Sequence, residues 1–299
     1  MNFANAKAAG FVPQIWANRA LMLFRNKIVL ARVCRKDTDF GEFSKGESLT
    51  IPYYGTLAAQ EKTGAQATVQ EPTGGSKVTV TLDHHKYVDI LVPDLTKAQA
   101  NPVLMDTYLD PMAEALAVAV EDELFALYAQ FTQSVGTSGT DLARSVVTKA
   151  REKMNAQNVP TAGRALVISP KDGTGLLGDD KLANYFANQR AEAVSEGSIG
   201  RLDGFDIFES NRVPVVAGTP ASTKNLAVHP EAMVLATRAL EAPPEGSGVT
   251  AQSITDTESG LTLRILAQYS MADRGLRVGM DILYGVKKLR DVSGVVVLS

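Results

Sequence analysis

Two hydrophobic periodicities alternate along the chain. Between residues 102 and 134, Leu109, Met112, Leu116, Val120, Leu124 and Leu127 recur at spacings of three and four, the stripe of a helix that buries a broad face. Asp110-Pro111 is a cap and first-turn pair, so the pattern predicts a short segment feeding a long helix of about 24 residues, roughly 36 Å. From Lys45 to Pro93 the period drops toward two. "ESLTIPYYG" and "SKVTVTLDHHKYVDILVP" predict strands, and the polar stretch between them, with Gly64, Pro72, Gly74 and Gly75, predicts an extended loop over about 45 to 80. A strand pair whose tip is polar brings little core of its own, so it must find support elsewhere, and two readings stay open: pairing with another chain, and a loop folded back on its own surface.

The remaining pattern alternates short elements. "IVLARVC" at 28 to 34 predicts a strand, and "SVGTSGTD" at 134 to 141 marks a boundary. Beyond it the sequence predicts a helix at 141 to 156, a strand "RALVIS" at 164 to 169, and a helix near 179 to 195. "NLAVHPEAMVLATRAL" predicts a strand leading into a further short element, followed by strands at 260 to 269, 276 to 289 and "GVVVLS". The fold class is α+β. One region spans about 141 to 250. The other joins residues 37 to 134 with the C-terminal strands.

Charge changes the picture at one end only. Lys plus Arg total 30 against 33 Asp plus Glu, a formal net charge of -3 that gives no global case for wrapping nucleic acid. Residues 1 to 36 nevertheless hold seven basic side chains, among them Arg19 and Arg25, and no acidic one. Trp16, Ala20, Leu23 and Phe24 lie at helical spacing there. Three readings stay open: a helix docked on its own domain, a basic arm across a partner subunit, and a contact with nucleic acid or membrane. Cys34 is the only cysteine, so no internal disulfide forms. No run of some 18 apolar residues offers a membrane span.

Catalytic signatures fail one by one. "GTGLLG" places Gly173, Gly175 and Gly178 in a G-x-G-x-x-G spacing after an apolar strand, but Asp179-Asp180 follow where a helix start should welcome a pyrophosphate. His84 and His85 are adjacent and point to opposite faces of a strand, and His229 stands apart, so no metal set converges. Glu114, Glu121, Asp122 and Glu123 lack the Glu-x-x-His partners of a di-metal helix and fit an exposed acidic face. No catalytic residue, cofactor or metal is expected, and the protein is not expected to be an enzyme.

The positive pattern lies in the order of segments. A basic N-terminal stretch, a polar β excursion, a long helix after "NPVLMDTYLDPMAEAL", "RALVISPKD", "GSIGRLDGFDIFESNRVP", "NLAVHP" and terminal β segments together resemble the tailed-bacteriophage major capsid proteins of the HK97-like fold, over roughly residues 10 to 295. The resemblance implies an N-terminal arm at 1 to 36 and an extended loop with flanking strands at 37 to 92. It further implies a peripheral domain with a spine helix at 93 to 139, an axial domain at 140 to 257, and C-terminal strands at 258 to 299 that complete the peripheral domain. Gly197, Gly200, Gly204, Phe205, Ile207, Asn211 and Pro214 then match the family's turn-and-strand pattern as fold determinants. Leu116 and Leu124 become core residues of the spine, and Trp16, Arg19, Phe24 and Arg25 become arm residues.

Function becomes shell geometry: hexamers and pentamers closing an icosahedral capsid around double-stranded DNA, without sequence-specific recognition and without a membrane. A separate scaffold protein, a portal and decoration proteins are the implied partners, and the implied location is the virion, after synthesis in the bacterial cytoplasm. Lys62 and Lys77 lie in or near the loop, but no asparagine and activating acid can be matched to them, so no autocatalytic cross-link is expected. Two alternatives remain: an encapsulin-like nanocompartment shell, and a small-oligomer enzyme resting on "GTGLLG".

Overall fold

A computed structural model describes residues 17–24, 28–37, 48–53, 76–94, 104–178, 200–244, 246–255 and 260–299. Trp16, Arg25, Lys62, Gly197 and the helix expected at 179 to 195 lie outside the described residues.

Residues 17–24 form a helix (α1). Ala17, Ala20 and Phe24, one helical face, are buried in the main core of this same chain. The described parts of the region expected as an arm, residues 17–24 and 28–36, are therefore docked at home. The next segment corrects the strand expected at 28 to 34: Leu30–Val33 is a helical turn (α2), and a strand begins only at Arg35–Asp37 (β1). Its cause lies far away in sequence, in a carboxylate that takes the turn's first amides.

Ser48–Tyr53 (β2) and Ser76–Thr81 (β3) form an antiparallel two-stranded sheet of their own. The root of this hairpin carries Ile51 and Val80 against Val234, Ala236 and Leu289, which is the support its polar composition demanded. His84–Pro93 (β4) follows with strict in-out alternation. His84 stacks on buried Tyr284 while His85 faces outward to Asp281, as adjacent strand residues must.

Leu104–Ala126 (α3) is the spine, continued by a 3-10 turn at Leu127–Gln130. Contrary to the expectation of a break before Pro111, the helix runs through that proline, and its 23 residues give about 34 Å. Leu109, Met112, Leu116, Val120 and Leu124 press onto Leu263, Ile265, Val278, Met280 and Ile282.

Two larger sheets complete the fold. The first has the order β1, β11 (Met233–Arg238), β14 (Gly275–Lys288), β13 (Thr262–Ser270), β12 (Val249–Thr255), with β4 also paired to the long β14. The second has the order β5 (Ser134–Gly136), β15 (Gly294–Leu298), β10 (Ser222–Val228), β6 (Ala165–Ile168), β8 (Phe205–Glu209), β7 (Arg201–Leu202), with β9 (Val215–Val216) on the end of β10. Helix α4 (Arg144–Ala156) covers the second sheet with Val147, Ala150 and Met154 over Leu166, Ile168, Ala227 and Val297.

This topology corrects the expected boundary near 257. Strands β11 and β12, assigned by sequence to the axial region, pair with β14 and β13 in the first sheet. Strand β15, expected to complete the peripheral domain, pairs with β10 and β5 in the second. A run such as "GVVVLS", buried on both faces, carries no periodicity that names its sheet.

Candidate assembly surfaces

"GTGLLG" is the first candidate to resolve. It lies on helix α5 (Pro170–Leu177) and its C-cap Gly178, and Ser169 caps the other end by accepting from the Asp172 amide at 3.2 Å. The start of that helix is already occupied by the buried Asp172 carboxylate, which accepts from Ser169 Oγ at 2.8 Å, Asn225 Nδ2 at 2.7 Å and Ser299 Oγ at 2.8 Å. A Cβ on Gly173 would meet only the carboxylate end of the exposed Glu209 side chain, which can swing aside, so this glycine is no phosphate cradle and no strict packing requirement. Among the described residues no group of three metal-ligating side chains converges.

The stretch around "GRLDGF" works as a tight turn. Asp203 and Gly204 both take positive φ, 48° and 91°, between β7 and β8, and Leu202 pairs with Phe205: this is the two-residue hairpin geometry that Asp-Gly favours. Phe205 is buried in the second core and Ile207 packs at its margin. Gly200 has a φ of 67° and its carbonyl receives the Ile207 amide at 2.9 Å. Burial alone would raise Asp203, but hydrogen bonds from Arg144 at 3.1 Å and Thr148 at 2.8 Å hold it below the usual carboxylate value. The turn is thereby pinned to α4.

Asn211 and Pro214 meet the spine. With Asp122, Phe125, Tyr128 and Arg212 they line an open cleft of about 390 Å³ between the end of α3 and the 211–214 loop. Arg212 spans it, donating to both oxygens of Asp122 at 2.8 and 2.6 Å. Leu116 and Leu124 are buried in the spine, Arg19 is exposed on α1, and Lys77 is exposed on β3.

Sequence reasoning missed Glu121. Expected on an exposed acidic face, its side chain is 1% exposed and accepts three backbone amides, from Val29 at 3.1 Å, Leu30 at 3.1 Å and Ala31 at 3.0 Å. Burial pushes the carboxyl up and the three amides pull part of the way back. The signal was present in the helical phase: Glu121 follows Val120 and stands between Ala117 and Leu124 on the inward stripe.

Among the described residues, large apolar side chains stay exposed singly at Met22 and Phe208 and in pairs at three places. Tyr87 and Leu91 lie on the outward face of β4, Val215 and Val216 on β9, and Tyr269 and Met271 at the β13–β14 turn. Scattered exposure is ordinary, but paired residues at an edge strand, a sheet face and a hairpin tip suit burial by other copies.

This arrangement of a self-paired hairpin, a spine helix and two interleaved sheets is that of the HK97-like capsid fold. Residues 77–281 match the model of the phage capsid protein family, and the chain belongs to that family. The chain is similar to a solved structure from Mycobacterium phage Che8, at 22% identity and a TM-score of 0.62, over 90% of each chain. It is similar to the capsid of cyanophage P-SCSP1u at 15% identity and a TM-score of 0.64, over 90% of this chain and 87% of that one. A virus-like particle from Pyrococcus furiosus matches at 12% identity and a TM-score of 0.54, over 95% of this chain and 98% of that one. Among curated proteins none matches. The family and these neighbours are structural proteins.

Proposed function

We propose that this protein is the major capsid protein of a tailed bacteriophage, closing as hexamers and pentamers into an icosahedral shell around double-stranded DNA. The observation that carries the reading is the family match over residues 77–281 together with capsid-like folds covering 90% of the chain. The physical support is the set of paired apolar residues left exposed on the protomer, which many repeated contacts in a closed shell can bury. A scaffold protein, a portal and decoration proteins are the partners this reading assigns, and synthesis in the host cytoplasm precedes a life in the virion. Its role is structural, with no catalysis of its own.

Negative-stain microscopy of the expressed protein, alone and with the scaffold from the same genome, tests this. Closed shells are expected. Small oligomers under both conditions would overturn the reading. The nanocompartment alternative is weaker, since the family match is to phage capsid proteins. Nuclease-protected DNA inside native particles is expected, and protein cargo in its place would favour the alternative.

A further inference from the structure

Three passes of the chain between the two large sheets lie side by side. One leaves the spine at 131–133 toward β5, one links β10 to β11 at 229–232, and one links β14 to β15 at 289–293. The second and third are tied by the His229 amide on Ser293 O at 3.0 Å, the Leu289 amide on Ala232 O at 2.8 Å, and an ion pair between Arg290 and Glu231 at 2.6 Å. The first and third are tied through Asp291, which accepts the Thr132 amide at 3.1 Å, the Thr132 hydroxyl and the Lys288 ammonium at 2.9 Å. Lys288 also reaches Gln130 O at 2.6 Å. Any change of angle between the sheets must act on this joint.

His229 caps the short turn at Pro230–Ala232: its Nδ1 accepts the Glu231 amide at 3.3 Å, which only an unprotonated nitrogen can do. The half-buried ring faces Glu231 on its own turn, Arg164 from the lead-in to β6, Arg290 from the third pass, and the Ala162 backbone. Arg151 on α4 stands near Arg164. Arg164 cannot swing away, because it is 2% exposed and donates to Pro160 O at 2.8 Å and Val159 O at 2.6 Å.

We propose that His229 is the switch of an acid-opened hinge between the two sheets. Protonation takes the acceptor from the Glu231 amide and sets a cationic ring against Arg164 and Arg290, so the tied passes loosen and the sheets can change angle. Burial holds the ring below its ordinary value, with Arg164 and Arg290 adding to that effect and Glu231 and the hydrogen bond to the Ala162 backbone opposing it. For a group depressed in the folded state, the unfolded chain takes the proton first. Stability is therefore full above the ordinary histidine value of about 6.5 and is lost as pH falls through it toward the folded value.

Backbone hydrogen exchange read by mass spectrometry on the unassembled chain tests this, at about pH 7.5 and about pH 5.5 with intrinsic rates corrected, for wild type and His229→Asn. Asparagine keeps a capping acceptor and does not titrate. Wild type is expected to exchange several-fold faster at 229–232 and 289–293 in acid, and the variant to respond little. A flat wild type, or an equal acid response in the variant, overturns the proposal. Should the variant not fold, exchange at the imidazole C2 position in wild type decides: His229 is expected to titrate below the ordinary histidine range, and a value at or above it overturns the proposal. Both readouts use single chains, so failure to form shells leaves them legible, while closed shells with a pH-insensitive joint would remove the hinge alone.

Discussion

The Leu30 amide donates to Glu121 Oε2 at 3.1 Å across 91 positions of sequence. With Val29 and Ala31 on the same carboxylate, this contact fastens the start of α2 to the middle of the spine and closes a buried set of donors that would otherwise have no acceptor. Glu121→Ala is expected to lower the unfolding free energy by about 3 kcal/mol or more, since an unsatisfied buried amide costs about 1–3 kcal/mol. Denaturant melts measure this, and hydrogen exchange should rise first at residues 29–31.

Leu116 and Leu124 test the packing between spine and sheet. Either one changed to Ala should cost about 2–5 kcal/mol, because both are buried against β13 and β14 and the strands cannot collapse into the gap. Equilibrium unfolding of the protomer is the measurement. A cost near zero would mean that the spine does not carry the core.

Removing the N-terminal segment now divides into two experiments. Deleting residues 1–16 spares every core residue among the described ones, so thermal stability of the protomer should hold while the yield of closed shells falls. Deleting 1–36 also removes Phe24, Ile28 and Leu30, all buried, and should unfold or markedly destabilise the protomer. Unchanged shell yield after the shorter deletion would end the assembly role of those residues.

Met271 offers the converse. It is 68% exposed at the β13–β14 turn, so Met271→Glu should shift protomer stability by no more than about 0.5 kcal/mol. Shell yield, read by sedimentation, should drop if other copies bury this tip.

Acid should act on Asp203 in the opposite direction from a raised group. Its carboxyl is held below the usual 3.8 by Arg144 and Thr148 against the effect of burial, so its contribution is present above that value and is lost as pH falls through the folded one. Urea midpoints should therefore fall between about pH 5 and pH 3, and Asp203→Asn should flatten that slope.

Periodicity revealed those parts of the fold whose cause is local. The helix at Arg144–Ala156, the strand at Ala165–Ile168 and the long β14 all follow from spacing within a few residues. "IVLARVC" misled because its β-branched residues favour a strand, while the acceptor that turns it helical belongs to Glu121. The partner sheet of β15 was invisible for a related reason, as a continuous apolar run fits any fully covered position. Of the candidate surface, the glycine-rich stretch was marked by the family resemblance alone. The Arg212–Asp122 bridge was not legible, since it joins segments that only the tertiary fold brings together.

Strand β15 stands between β5 and β10, so the second sheet remains split in two until residues 294–298 arrive. During synthesis, which proceeds at about 5–20 residues per second, a nascent chain holds β5, β6, β8 and β10 without the strand that joins the first to the rest. A truncated translation product would thus present an unfinished surface to its neighbours, and only full-length molecules would enter a growing lattice with both layers closed.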